Sequence, residues 1–327
     1  MNRNIVVITI CAISVIIAAM IALGFGAVKL SIPEIMNGLF SGENSSSQRI
    51  LLYVRLPRLI ASIFAGAGLA VSGVIIQTVL SNPLASPGII GVNAGAGLFA
   101  VIAMIFFPGI IWSIPAAAFI GALFSVFLVY GIARKAGASR MTLILSGVAI
   151  SSLMTAGINT LANFYPDILR NLRDFQTGGF AGVQMNLLFP AGAIIGLSLI
   201  LTLLFSGELE ILGLGEETAQ SLGLNVRFYR FIFLTLSAAL AGAAVSFAGL
   251  LGFIGLMMPH IARLILPGAG KRVLVTLSAL MGAAFLTLCD TAARVLFSPH
   301  EIPVGIITAF LGAPFFLWLL FRRKTHD

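Results

Sequence analysis

Apolar residues run along this chain in long blocks, and the polar ones gather in the gaps between them. The blocks predict about ten helices, at roughly 5–28, 56–80, 89–107, 113–133, 141–163, 186–206, 228–248, 251–266, 273–297 and 303–321. Most approach the ~20 residues that an α-helix needs to cross a hydrocarbon core about 30 Å thick. The eighth is the shortest, and Pro259 and His260 interrupt it. The first runs from Ile5 to about Val28. That exceeds the ~7–15 apolar residues of a secretory leader, and no clean cleavage site follows, so it reads as a mature helix.

Three gaps are long enough to hold structure of their own: 29–54, 164–185 and 207–227. The last contains Glu208, Glu210, Glu216 and Glu217. Glu216 and Glu217 are predicted to begin a short helix, where carboxylates favour the positive end of its dipole, and Gly223 to end it. The gap from Asn82 to Gly91 holds two prolines and two glycines, which prevents a continuous helix. Irregular backbone at membrane depth must line a cavity or be buried in protein. Gln77, Asn82 and Asn93 therefore either face a polar path or belong to an ordinary helix connection. Arg55-Leu-Pro-Arg58-Leu-Ile opens the second block and Arg227-Phe-Tyr-Arg230-Phe-Ile the seventh, each followed by an Ala-Val-Ser, at 70–72 and 244–246. Blocks five apart run in opposite directions, so this faint likeness predicts an inverted repeat of the kind transporters use.

Composition turns these blocks into membrane spans. Apolar residues make up 59% of the chain and charged ones 9%, with a mean hydropathy of +1.09. A soluble domain carries about 25% charged residues, because water must solvate its surface. The predicted class is all-α integral membrane. The 35 glycines suit helices that pack backbone to backbone. The net charge of +8 does not indicate a nucleic-acid partner, because the basic residues stand one to three at a time between apolar blocks, as topology signals do. An even number of spans puts both termini on one side. If that side is cytoplasmic, about twelve Lys and Arg, Arg3 to Lys324, face inward against seven outward. The outer seven are Lys29, Arg49, Arg55, Arg58, Arg170, Arg173 and Arg294. Cys11 and Cys289 lie in separate apolar blocks and suit neither a metal site nor a disulfide framework.

Of the eleven carboxylates only Asp290 sits well inside a span. An ion-coupled carrier or an intramembrane hydrolase ordinarily buries more ionisable groups. No phosphate-cradling loop, zinc-protease motif or nucleophile elbow is present in the sequence. No catalytic or metal-binding residue is therefore assigned, and energy for any pumping enters through a partner. Asp290 and Arg294, spaced i, i+4, can pair on one helix face, either as a structural ion pair or with Arg294 presenting charge to a partner. Arg55 and Arg58 flank Pro57 at a span start, where snorkelling to the interface accounts for both. His260 reads as a helix-end residue and not as a metal ligand.

Seven segments together resemble the FecCD-type permeases, the transmembrane subunits of ABC importers for iron-siderophores, haem and cobalamin. They are Arg55-Leu-Pro-Arg58, Gly73-Val-Ile-Ile-Gln77, Asn82-Pro-Leu-Ala-Ser-Pro-Gly88, Leu214 to Gly223, Gly252 to Arg263, Asp290-Thr-Ala-Ala-Arg294, and Glu301-Ile-Pro-Val-Gly with Gly312 to Trp318. The resemblance implies a single transmembrane permease domain over 1–327, with type II ABC importer permease architecture and a coupling loop at about 207–227. It implies a second permease copy or paralogue, two ATPase subunits that carry ATP-Mg, and an extracytoplasmic substrate-binding protein. No cofactor is expected on this chain itself. Arg55, Arg58 and Arg294 match positions that meet acidic residues of the binding protein. Leu214, Gly215, Glu216, Glu217, Ala219, Leu222 and Gly223 match the coupling element that docks on the ATPase. Weak contacts from Gln77, Asn82, Asn93, Thr142, Ser146 and Asn159 would line the path. The implied setting is a bacterial or archaeal cytoplasmic membrane, and the implied cargo an iron-siderophore-type metal chelate. Gly178-Gly-Phe-Ala-Gly182 looks more like the cobalamin permeases, so cobalamin or haem is the alternative. An ion-coupled secondary carrier is the alternative from another class.

Overall fold

The computed structural model describes residues 3–26, 30–40, 46–137, 139–296, 298 and 300–323. Lys29 and Lys324, counted in the charge balance above, lie outside these residues. The described chain is helical throughout, in the order α1 (Arg3–Gly24), α2 (Ile32–Phe40), α3 (Ser46–Ile50), α4 (Leu56–Val79), α5 (Val92–Phe106), α6 (Ser113–Lys135), α7 (Arg140–Phe164), α8 (Leu169–Thr177), α9 (Met185–Leu204), α10 (Ser206–Gly213), α11 (Glu216–Ser221), α12 (Val226–Ala248), α13 (Ile254–Ile265), α14 (Lys271–Val295) and α15 (Val304–Arg323). Seven segments are long and apolar enough to cross a membrane, and three shorter apolar helices, α5, α13 and α15, complete the predicted ten.

Local sequence sets the boundaries. Ser139 Oγ accepts the Thr142 N–H at 3.1 Å to start α7, and Asn225 Oδ1 accepts the Phe228 N–H at 3.2 Å to start α12. Pro57 sits in the first turn of α4, where its missing N–H costs nothing. A π-helical turn, Leu51–Arg55, joins α3 to α4.

α4 is the axis of the bundle and packs on α9, α12, α13 and α14. Glycine makes two of these crossings possible. A Cβ on Gly66 would stand 2.2 Å from the Gly282 carbonyl of α14, and one on Gly73 would stand 1.8 Å from the Gly255 carbonyl of α13. Such backbone approach is how helices associate where no hydrophobic force drives them together. Between α4 and α12 the Ser72 and Ser237 hydroxyls meet at 2.7 Å. α4 begins at the end of the bundle that holds α8, and its last turn meets α10, where Thr78 lies against Gly213. α12 begins beside α11 and so runs antiparallel to α4, the relation that the predicted inverted repeat requires.

Two expectations change. The eighth block is not broken at its proline; α13 continues through Pro259. The 207–227 stretch holds two helices, α10 and α11, where the sequence predicted one.

Candidate functional site

Three places in the bundle hold chemistry. The first is a charge cluster at the α8 end. Arg58, in the first turn of α4, donates from Nη2 to Asp290 Oδ1 at 3.0 Å and from Nη1 to Glu301 Oε2 at 2.7 Å. Asp290 Oδ2 lies 3.1 Å from Nε of Arg294, which is the i, i+4 pair that the sequence predicted. Arg294 Nη2 also donates to the Ala22 carbonyl at 3.2 Å, and Arg55 Nη1 donates to the Leu23 carbonyl. These carbonyls belong to the last turn of α1, where no intrahelical N–H remains and the dipole favours a cation. The arginines expected to present charge outward are thus buried, Arg55 at 4%, Arg58 at 6% and Arg294 at 6% exposure. They bind α1, α4, α14 and the segment before α15 into one unit. Glu301 was quoted only as part of a motif. It lies 243 residues from Arg58, so no local spacing could have announced the pair.

The second place is at the other end, around α11. Leu214 and Leu222 flank this helix and are 59% and 60% exposed, while Ala219 between them is fully buried. Glu216 and Glu217 stand in the first turn, and Gly223, with φ 82°, follows the last. Gly215, with φ 112°, precedes the helix. Arg230 of α12, itself 2% exposed, donates to Glu216 Oε2 at 2.8 Å and pins the start of α11. The helix therefore offers an apolar, acidic-tipped face on a rigid mount.

The third place is a cavity of about 630 Å³ between α5, α8, the α12–α13 link and α15, walled by Phe253, Ile306 and Phe310 with Asn93, Gln176 and Thr177 as its polar points. Phe253 holds a left-handed φ of 67°, strained for a residue with a Cβ. Its ring lies where a side chain on Gly312 would stand, 2.3 Å from Cγ. Three backbone hydrogen bonds beside the cavity join α8 to the α12–α13 link and to α15. They run from Leu250 N–H to the Phe175 carbonyl at 2.8 Å, Gly179 N–H to Ala248 at 2.7 Å, and Gly305 N–H to Gly178 at 3.2 Å. Gly305 is required there, since a Cβ would stand 1.8 Å from the Thr177 carbonyl.

The predicted path residues do not converge. Asn93 lines the cavity. Gln77, read as able to face a polar path, is instead buried at 3% exposure inside the subunit. Its Nε2 lies 3.3 Å from the Gly255 carbonyl, and its Oε1 accepts from Arg263 Nη2 at 2.7 Å. The reason is Pro259. The Gly255 carbonyl would normally accept the N–H four residues on, which proline lacks, and Gln77 supplies the donor from α4. Asn82 Oδ1 accepts the Leu84 N–H at 2.9 Å and shapes the turn. Thr142, in the first turn of α7, donates its hydroxyl to the Ser139 carbonyl at 2.8 Å, Ser146 is half-buried on that helix, and Asn159 is exposed on it. His260 packs edge-on against Phe315, ring centroids 6.1 Å apart. Gln176, Thr177, Phe253 and Phe310 were missed, because residues of four separate segments form that wall.

Comparison with known proteins accounts for nearly the whole chain. The profile of the FecCD transport family matches residues 14–322. The Fe(3+)-citrate import system permease protein YfmE of Bacillus subtilis is 39% identical over 98% of this chain and 96% of its own length. The hemin transport system permease protein HmuU of Yersinia pestis is 38% identical over 95% and 94%. Among solved structures, an inward-facing conformation of a metal-chelate type ABC transporter superposes with a TM-score of 0.86 at 31% identity, covering 96% of this chain and 98% of that one.

Proposed function

The chain belongs to the FecCD transport family and is the transmembrane permease subunit of an ABC importer, and from that premise we propose how its parts are used. Hydrolysis of ATP falls to a separate ATPase, and the protein is a multi-pass component of the inner membrane. The cargo is a metal chelate of the iron-siderophore type. The 39% and 38% identities to a ferric-citrate and a hemin permease do not separate these cargoes, and the uptake assay below makes the choice. The chain acts with a second copy or a paralogue, two ATPase subunits and an extracytoplasmic binding protein. Both termini and α11 face the cytoplasm, and α8 and the arginine cluster face outward.

The observation that carries this reading is the exposed face of α11. Leu214 and Leu222 are 59% and 60% exposed beside carboxylates. Apolar residues of that size, ringed by charge, mark a surface that another protein covers. The nucleotide-driven closure of the ATPase pair pushes on α11. Arg230–Glu216 passes that motion to α12, and α12 to α4, as a rigid-body rearrangement. Cargo meets only weak, uncharged contacts, from Asn93 of α5 and from Thr142, Ser146 and Asn159 of α7.

The test is ATP-dependent uptake by proteoliposomes holding this subunit, its ATPase and its binding protein, with ferric siderophores, ferric citrate, haem and cobalamin offered in parallel. Uptake of one cargo class, absent when the ATPase is omitted, is the expected result. Uptake that persists without the ATPase would return the ion-coupled carrier to first place.

A further inference from the structure

Arg58 has four features that do not belong together in a purely structural residue. It is buried at 6% exposure, yet it lines a partly polar cavity of about 300 Å³ at the α8 end. Its Nε is buried and makes no hydrogen bond. One of its two carboxylate partners, Asp290, is 3% exposed and is held by Arg294 as well. The other, Glu301, is 44% exposed and has no second cation among the described residues. The guanidinium thus sits between a permanent partner behind it and a replaceable one at the rim. The cavity leaves room for a further side chain at that rim.

Glu301 also stands at a leverage point. It opens the Glu301-Ile302-Pro303 segment that leads into α15. That segment is tied to α14 by the Ile302 N–H on the Ala293 carbonyl at 3.3 Å and to α8 by the Gly305 N–H on the Gly178 carbonyl at 3.2 Å. The same cavity is walled by Asp174 and Thr177 of α8, and Thr177 also lines the larger apolar cavity. A change at Arg58–Glu301 therefore acts on the α8–α15 seam that borders the larger cavity.

We propose that Glu301 is an internal stand-in for a carboxylate of the docking partner, held on Arg58 as a latch until an acidic side chain of that partner enters the 300 Å³ cavity and displaces it. The partner's carboxylate takes Glu301's place on Arg58 Nη1, while Nη2 stays on Asp290. Glu301 swings into solvent, where its charge is hydrated. The segment before α15 is then held by one tie fewer to α4, and the α8–α15 seam loosens. The exchange is charge-neutral: one carboxylate leaves the arginine as another arrives. This inference rests on the reading that a binding protein docks at the α8 end, and it adds that docking itself releases the seam.

The experiment has a partner-free arm and a partnered arm, both on the full chain in nanodiscs with its ATPase. In the first, spin labels at Arg173 and His300 report the distance between α8 and the segment before α15. Glu301→Gln is expected to lengthen or broaden that distance with no partner present, and Glu301→Asp to restore it. An unchanged distribution overturns the latch. In the second, the binding protein that supports uptake in the proteoliposome assay is titrated onto wild type, Glu301→Gln and Arg58→Gln. Loss of the internal competitor is expected to tighten binding by about fivefold or more, the lower range of a coupling between linked events, and loss of Arg58 to weaken it. Equal affinity for wild type and Glu301→Gln overturns displacement even if the spectra move. If no binding protein associates with the wild-type chain, the docking reading itself fails, and that outcome is separate from the spin-label result.

Discussion

At the α8 end three buried arginines meet two carboxylates and the Ala22, Leu23 and Phe25 carbonyls at the end of α1, whereas at the α11 end Arg230 takes the half-exposed carboxylate of Glu216. The first arrangement ties helices of the bundle to each other. The second ties the bundle to a surface element that must move with something outside it. A buried charge that loses its partner is left uncompensated, so the α8 cluster is costly to alter, while a half-exposed pair can be broken at modest expense. The difference teaches where the molecule is braced and where it is driven.

The strongest way to break this comparison is Asp290→Asn. It leaves Arg58 and Arg294 without the carboxylate they share, and the expected destabilisation is about 3–5 kcal/mol, read as thermal unfolding in detergent. A loss as small as that of a surface pair would show that the cluster is hydrated and not a brace. Next is Gln77→Leu, which orphans the Gly255 carbonyl opposite Pro259 and one nitrogen of Arg263. The expected cost is about 1–3 kcal/mol, and Gln77→Leu combined with Pro259→Ala should recover part of it, because the helix then supplies its own donor. Absence of that recovery would remove Gln77 from the role given to it. Smaller still is Glu216→Gln, expected to cost about 1 kcal/mol in stability, since the carboxylate is 40% exposed, while uptake falls by far more than folded protein does. Equal losses in uptake and in folded protein would mean that the pair only stabilises. The smallest effect lies at Glu34, whose carboxylate accepts both the N–H and the hydroxyl of Ser31 at 2.7 Å. These bonds hold its pKa below the usual glutamate range. The cap's contribution is therefore complete at neutral pH and is lost as pH falls through that lowered pKa. A carbon-13 titration of the Glu34 carboxyl should show the low midpoint, and Ser31→Ala, which removes the hydroxyl bond but keeps the N–H bond, should raise it part of the way back.

Much of this was legible in the residues themselves. Ten apolar blocks became ten helices because a hydrocarbon solvent leaves the backbone no other way to satisfy its polar groups. Glu216, Glu217 and Gly223 marked the start and end of α11 because dipole and left-handed φ act within one turn. Asp290 and Arg294 paired because they share a helix face. What stayed hidden depends on distance in the chain. The burial of Arg55 and Arg58 follows from α1 ending against them and from Glu301 closing over one of them, and nothing within a few residues of either reports that. Pro259 predicted a break, correctly by local rules, and Gln77 from another helix overrode it. The large cavity gathers α5, α8, the α12–α13 link and α15, so its walls exist only once the chain has folded.

The claim that energy enters through α11 is tested most directly by replacing Leu214 and Leu222 together with Asp and measuring ATP-driven uptake and ATPase association in the same proteoliposomes. Both residues are exposed, so the subunit should fold as before. The account predicts that the ATPase no longer co-purifies and that uptake is lost. Uptake at the wild-type rate with the ATPase still bound would contradict it.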